Sequence, residues 1–304
     1  MNGEWKNEQF GHMSLPLYSQ AFHYDLTDSR LKPDERSIRQ EPAGMEIVYH
    51  HFHEDIEIIT VTKGAMYLTV STQTRRLEKG DTALIPAYMP HLAYIDSTAP
   101  NVAYVCITAD CRRLLPPGGG DFLQKLADAQ LMFTPLVRDA ELAALICGMP
   151  QLWKKQDGSG EAECAMMSLF YQIIGRMRRC GYAMHKNKTE AAQSDFLKCA
   201  MDFLEANFSL DVTWKLVHES FSYNQSYFCR LWKQNFGKSF FQTLACFRVE
   251  KAIQLYMRTD SPMKISEIAE AVGFRDYTGF SHAFRRIVGV APSEYMKAKA
   301  TRTP

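Results

Sequence analysis

The sequence predicts an α+β chain of more than one domain, with a jelly-roll β-barrel in front and an all-helical region behind. Three observations predict this. The chain has 304 residues, about twice the length of an ordinary domain. Its front part holds many short β-rich runs divided by Gly, Pro and Asp, without helical patterns between them. From residue 121 onward, apolar residues recur at helical spacing, and the last third contains an internal repeat.

Composition sets the outer bounds. Apolar residues make up 46% and charged residues 23%, which matches an ordinary globular chain and excludes wholesale disorder. No apolar run approaches the roughly 18 residues of a membrane span. The start, MNGEWKNEQF, lacks the basic flank and apolar stretch of a secretory signal. The cytoplasm is therefore the expected compartment, with no membrane contact. Eight cysteines (106, 111, 147, 164, 180, 199, 229 and 246) include no Cys-x-x-Cys pair, which argues against a zinc ribbon and a disulfide framework.

In chain order, residues 45–51, 56–62, 65–71, 82–85, 92–95 and 102–108 read as strands of a barrel domain over 1–115. The first 20 residues, with Trp5, Phe10, His12 and Tyr18, read as an arm folded over the barrel's pocket. Residues 121–130, 138–155 and 161–179 read as helices, and 116–184 is assigned to dimerisation. On 161–179, one side carries Cys164, Met167, Ser168, Tyr171, Ile174 and Arg178, with Leu169, Phe170 and Ile173 adjoining. That face is wider than capping a barrel requires, so a homodimer is expected. The polar stretch 185–194 reads as a linker, and 195–304 as a helical domain.

Charge divides the chain at the same place. Residues 1–193 carry 20 Lys/Arg against 23 Asp/Glu, whereas 194–304 carry 15 against 11. The sign of the second half suits a polyanionic partner. Within it, residues 227–237 match 279–289 at an offset of 52, with aromatic pairs 228/280 and 232/284, basic pair 233/285 and glycine pair 237/289. Short helices at 214–221 and 265–272 precede the two copies, so each copy reads as a helix-turn-helix. On the second copy, Phe280, Ala283, Phe284 and Ile287 form one buried stripe. Thr278, Ser281, His282 and Arg285 are left outward. The first copy buries Phe228, Leu231 and Trp232 and turns out Gln225, Ser226, Cys229, Arg230 and Lys233. Short polar and basic side chains on such faces suit the edges of base pairs and the flanking phosphates of double-stranded DNA.

Residues 265–274 (ISEIAEAVGF), 280–285 (FSHAFR), Gly289 and 292–295 (PSEY) resemble the C-terminal signature of the AraC/XylS family of bacterial transcription regulators. The resemblance covers about residues 195–298. It implies that a long helix, here 239–258, joins the two units and that each inserts its second helix into successive major-groove segments. His218, where the family has a small packed residue, and Gly279, where it has a larger one, depart from the pattern.

The barrel region holds a second constellation: His51 and His53, Glu57, Gly64, then Gly80 to Pro86 and His91. His51 and His53 are two apart on an extended chain, so their imidazoles share a face, and Glu57 and His91 converge on them if the strands pair. The spacing His-x-His-x3-Glu-x6-Gly, then Gly-x5-Pro and a later His, resembles the two cupin motifs over about 44–95, departing at Tyr88 and Ile95. Three imidazoles and a carboxylate would also suit a transition metal.

Together these features point to a sequence-specific DNA-binding regulator, not an enzyme, with an effector site of Tyr49, His51, His53, Glu57, His91 and Tyr94. No cofactor is expected. The family resemblance implies a small polar effector, a sugar or related carbon source, and RNA polymerase as a partner if the protein is an activator. The alternative is a metal-dependent cupin enzyme fused to a DNA-binding region, with His51, His53, Glu57 and His91 as ligands.

Overall fold

The computed structural model describes residues 17–25, 46–96, 98–99, 101–115, 120–155, 160–258 and 263–300. Eight strands come first: β1 (Leu17–Asp25), β2 (Glu46–His51), β3 (Ile56–Lys63), β4 (Ala65–Val70), β5 (Gln73–Glu78), β6 (Thr82–Ile85), β7 (His91–Ile95) and β8 (Asn101–Ala109). The short α1 (Cys111–Leu114) and α2 (Asp121–Ala127) lead to β9 (Leu131–Phe133) and β10 (Leu136–Val137). Then follow α3 (Ala140–Lys154), α4 (Glu161–Arg179) and β11 (Ala183–His185). The rest is helical: α5 (Lys188–Asn207), α6 (Trp214–Phe221), α7 (Gln225–Phe236), α8 (Phe240–Arg258), α9 (Ile265–Ala271), α10 (Tyr277–Val288) and α11 (Pro292–Ala300).

Two antiparallel sheets, ordered β1-β8-β3-β6-β10 and β2-β7-β4-β5, make the front unit. Every strand the sequence predicted is present, and β1, β5 and the two-residue β10 are added to these sheets; β1 and β5 are the longer two. Both lack strong β-formers over much of their length and are placed by pairing, β1 along the whole of β8 and β5 along β4. Tyr18 accordingly belongs to an edge strand, where its ring meets Trp153 edge-on at 5.2 Å, and it is not part of an arm over a pocket. The other arm residues named above lie outside the described residues. Alternation on β3 turns Ile59 and Val61 into the core between the sheets, with Phe22, Met66, Leu77, Ile95 and Tyr104. Its opposite face, with Ile56 and Ile58, packs into a second and larger core. The turn after β3 needs Gly64: its φ is +69°, and a Cβ there would stand 2.0 Å from the Asn101 carbonyl oxygen.

The larger core continues without a break from the outer face of β3 through α3 and α4 to α5, α7 and the first half of α8. Asp139 caps α3, and its carboxylate also receives Arg176 of α4 at 2.8 Å and the Tyr182 hydroxyl at 3.0 Å. On α4, Phe170, Ile173 and Ile174 are buried within the chain itself. The wide apolar face of this helix is thus largely consumed by packing inside one protomer, while Cys164, Ser168, Tyr171 and Arg178 stay exposed.

Most of the stretch read as a linker, 185–194, is helical. Helix α5 begins at Lys188 behind a capping box formed by Asn187 and Glu190. The polar residues that suggested a loop are the cap and solvent-facing first turns of a helix. Phe196, Phe203, Phe221, Phe228, Trp232, Phe236 and Phe240 form the aromatic centre of the first helix-turn-helix unit. There the Trp232 indole N–H donates to Thr243 Oγ1 at 3.0 Å. The second half of α8, with Val249, Ala252 and Ile253, enters a separate core with α9, α10 and Tyr295.

Candidate functional site

The repeat is explained residue by residue. The paired glycines, Gly237 and Gly289, close α7 and α10 at φ of +68° and +90°, left-handed caps that favour glycine. The paired aromatics are the buried anchors Phe228, Trp232, Phe280 and Phe284. Both reading helices start on a side-chain cap: Asn224 Oδ1 accepts from the Tyr227 N–H at 2.9 Å, and Asp276 Oδ1 from the Gly279 N–H at 2.7 Å. Opposite the buried stripes, Gln225, Ser226, Arg230 and Lys233 on α7 and Thr278, His282 and Arg285 on α10 are exposed. Cys229 and Ser281 are only half-buried at the edges of those faces. The sequence reading missed three exposed aromatics beside the same faces, Tyr223, Tyr227 and Tyr277. The Arg230 guanidinium lies over the Tyr227 ring at 5.5 Å. Their signal was position, since all three fall within a few residues of a helix start.

Neither departure from the family pattern disturbs packing. His218 is exposed and its Nδ1 lies 2.9 Å from the Tyr223 carbonyl oxygen, so it closes the end of α6 instead of crowding a partner helix. A Cβ at Gly279 would meet only Asp276 Oδ1, at 3.5 Å.

In the barrel, pairing of β2 with β7 sets His51 opposite His91, and pairing of β3 with β8 sets Glu57 opposite Thr108. His51, His53, Glu57 and His91 come together as the spacing predicts, with candidate ligand atoms all within 4.8 Å of one another. His91 Nε2 lies 2.8 Å and His53 Nε2 3.3 Å from the same oxygen, Glu57 Oε2. The Cys106 thiol donates to the other oxygen, Oε1, at 3.1 Å. Cys106 was not singled out from sequence, and only the β3–β8 register brings it there. Burial alone would push the Glu57 carboxyl up, but the charges and hydrogen bonds of His91 and His53 hold it well below the usual carboxylate range.

Tyr94 is corrected. On β7, His91, Ala93 and Ile95 point inward, so Tyr94, three residues from His91, faces the other way and stacks on Tyr67 at 5.2 Å. The Tyr49 side chain lies outside the described residues.

The donor set fits a divalent metal ion. His53 Nδ1 faces the Asp55 carbonyl oxygen at 3.1 Å, and His91 Nδ1 faces that of Met89 at 2.9 Å. A proton on each Nδ1 satisfies these carbonyls; each Nε2 then donates to Glu57 while it keeps its own proton, and offers its lone pair to an ion once that proton is lost, the arrangement that orients metal-binding histidines. Donors each about 2.0–2.2 Å from one common ion lie no more than about 4.4 Å apart, so the 4.8 Å span of this cluster would close by a few tenths of an ångström around an ion.

Comparison with known proteins agrees with both halves. Residues 218–298 match the model of a helix-turn-helix domain, and 37–108 that of a cupin domain. Over 266 residues the chain is 27% identical to the HTH-type transcriptional activator RhaS of Pectobacterium atrosepticum, covering 84% of this chain and 90% of that protein. It is 23% identical over 238 residues to the lactose operon transcription activator of Staphylococcus xylosus, covering 77% of this chain and 81% of that one. The chain is an AraC-type transcription regulator. The fold of this regulator is also that of an apo ToxT variant from Vibrio cholerae, with a TM-score of 0.59 at 15% identity over 92% of this chain and 97% of that one. The regulator thus joins a DNA-binding double helix-turn-helix to a cupin domain, and its relatives are transcription regulators, not enzymes. No helix among its described residues is long and apolar enough to cross a membrane.

Proposed function

We propose that this regulator is controlled by a small ligand received at His51, His53, Glu57 and His91, and that a divalent transition-metal ion held by these four is part of the receptor. The observation that carries the reading is their convergence within 4.8 Å, with Nδ1 of both His53 and His91 engaged by backbone carbonyls. A bound ion would supply a fixed positive charge for an oxygen-bearing effector. The protein's own part is to bury the Glu57 carboxylate, to orient the two Nε2 atoms, and to keep apolar side chains behind them. Metal content and calorimetric titration of purified protein with Zn2+ test this: about one ion per chain is expected. Absence of both bound metal and binding heat would sink it.

A sugar or related carbon source is the second reading for the effector. It is favoured by the names of two relatives, the lactose operon activator and RhaS. Thermal-shift measurement against a sugar panel, with and without Zn2+, decides whether a hydroxylated ligand adds to the ion. On the DNA side, the proposed contacts are Gln225, Ser226, Cys229, Arg230 and Lys233 from α7 and Thr278, Ser281, His282 and Arg285 from α10. A homodimer would set these helices on paired half-sites and raise avidity, and as an activator the protein would also meet RNA polymerase. The proposed division keeps a barrel domain to about residue 115, a helical dimerisation segment to 184, and a DNA-binding domain that starts with α5.

A further inference from the structure

Between His51 and His53 stands Phe52, and it faces away from them. While the two imidazoles join the Glu57 cluster, the Phe52 ring is 97% covered, at 3% exposure. It packs 5.0 Å from Phe236, the last residue of α7, and 6.1 Å from Phe247 of α8. Phe236 in turn stacks on Trp232 at 4.3 Å, which lies beside Lys233 and two residues from Arg230 on the same helix. Nearby, Ser71 Oγ donates to the Asn235 carbonyl at 3.2 Å, so barrel and reading helix also touch through a hydrogen bond. The backbone of the His-Phe-His segment is held from behind: the Tyr88 N–H donates to the His53 carbonyl at 2.7 Å. Tyr88 itself adopts φ +66°, a left-handed conformation that a bulky residue keeps only when its surroundings impose it.

We infer that Phe52 is a positioning residue that carries the state of the His51/His53/Glu57/His91 cluster to the first reading helix, α7. The inference rests on the proposed role of that cluster as the ligand site. Successive residues of an extended segment point to opposite sides. A ligand that draws the imidazoles of His51 and His53 to a common centre therefore fixes the backbone on both sides of Phe52, and with it the seat of the ring between Phe236 and Phe247. Packed aromatic seats admit few alternative arrangements, so a small shift at the cluster becomes a choice between discrete positions of α7. Coupling of this kind is reciprocal: whatever factor the ligand applies to DNA affinity, DNA applies to ligand affinity.

The test uses the full-length protein, Zn2+ as the probe, and a DNA duplex that the protein selects from a random pool. In the wild type, Zn2+ is expected to change DNA affinity by roughly fivefold or more, the lower end of ordinary allosteric coupling, and DNA is expected to change Zn2+ affinity by the same factor. In Phe52→Leu, Zn2+ affinity without DNA stays within about twofold and the mutual factor falls below about twofold. Phe247→Leu, on the other side of the seam, loses the same factor, which keeps the test open if one variant folds poorly. Hydrogen exchange of residues 225–236 reports Zn2+ in the wild type and not in Phe52→Leu. A Phe52→Leu protein that keeps the full mutual factor overturns the inference while the ligand site stands. So does a wild type that binds Zn2+ without any change in DNA affinity. A wild type that binds no Zn2+ overturns both.

Discussion

His91 Nε2 and Glu57 Oε2 lie 2.8 Å apart, each side chain 1% exposed, and this pair joins β7 of one sheet to β3 of the other. A buried carboxylate persists there because imidazole donors surround it. Glu57→Gln keeps the shape and removes the charge. Calorimetry is expected to show Zn2+ affinity falling by more than the roughly 10–100-fold that loss of an outer-shell partner costs. An affinity unchanged in Glu57→Gln would take the carboxylate out of the site.

The reading helices make a prediction about salt. Lys233 and Arg285 are exposed at matching positions of the repeat. If both contact phosphate, each alanine variant lowers the slope of log affinity against log salt by about one unit, nearly independent of DNA sequence. If Arg285 reaches a base edge, Arg285→Ala instead costs about 1–3 kcal/mol and relaxes sequence preference. Titrations at several salt concentrations with selected and scrambled duplexes separate these, and equal affinity in a folded variant removes the residue from the interface.

Asp139 joins α3 to α4 and to Tyr182 in the turn that follows, and its ionisation supports the fold. The Arg176 hydrogen bonds, opposed by burial and helped by the Leu142 N–H and Tyr182, hold its pKa down at about 2 against an ordinary 3.8. A depressed carboxyl contributes stability that is full above its unfolded pKa and is lost as pH falls through the folded one. This contribution, on the order of 2 kcal/mol, is therefore expected at pH 6 and should fade between about pH 4 and 2. Denaturant unfolding of wild type and Asp139→Asn should differ at pH 6 and converge toward pH 2. A constant difference across that range would assign the effect to packing.

Two glycines of the second unit should respond in opposite directions to alanine. At Gly273, φ is +87° and a Cβ would stand 2.4 Å from the Phe208 carbonyl oxygen, so Gly273→Ala should lower thermal stability by more than 1 kcal/mol or so. Gly279 lies in the first turn of α10 with room for a methyl group, so Gly279→Ala should raise stability by up to about 1 kcal/mol. Melting temperatures of the two variants check both signs.

Assembly is open to sedimentation at micromolar concentration, where a dimer is expected. Ser168 lies on the face of α4 that remains exposed in one protomer, so Ser168→Arg should shift the equilibrium toward monomer. A wild type that is monomeric with and without DNA would remove the dimer.

Much of this protein was legible in its sequence because the signals were local. Aromatic, basic and glycine positions recurring 52 residues apart were enough to place both reading helices, since caps, left-handed glycines and one buried stripe are properties of a single helix and its ends. The His-x-His-x3-Glu spacing likewise anticipated three members of the cluster, because alternation on an extended chain needs no partner. Tertiary structure alone decided what depends on register and contact between distant segments. Strands β1 and β5 exist because their neighbours offer backbone hydrogen bonds, not because of their composition. Tyr94 leaves the cluster and Cys106 enters it through the pleat of β7 and the pairing of β3 with β8. Residues 188–194 become helix because Asn187 and Glu190 cap them and the buried residues beyond Ser194 find a core. Phe52 meets Phe236 across 184 residues of chain, a contact with no local periodicity to announce it, because hydrophobic burial is non-directional and only the folded chain determines which apolar surfaces meet.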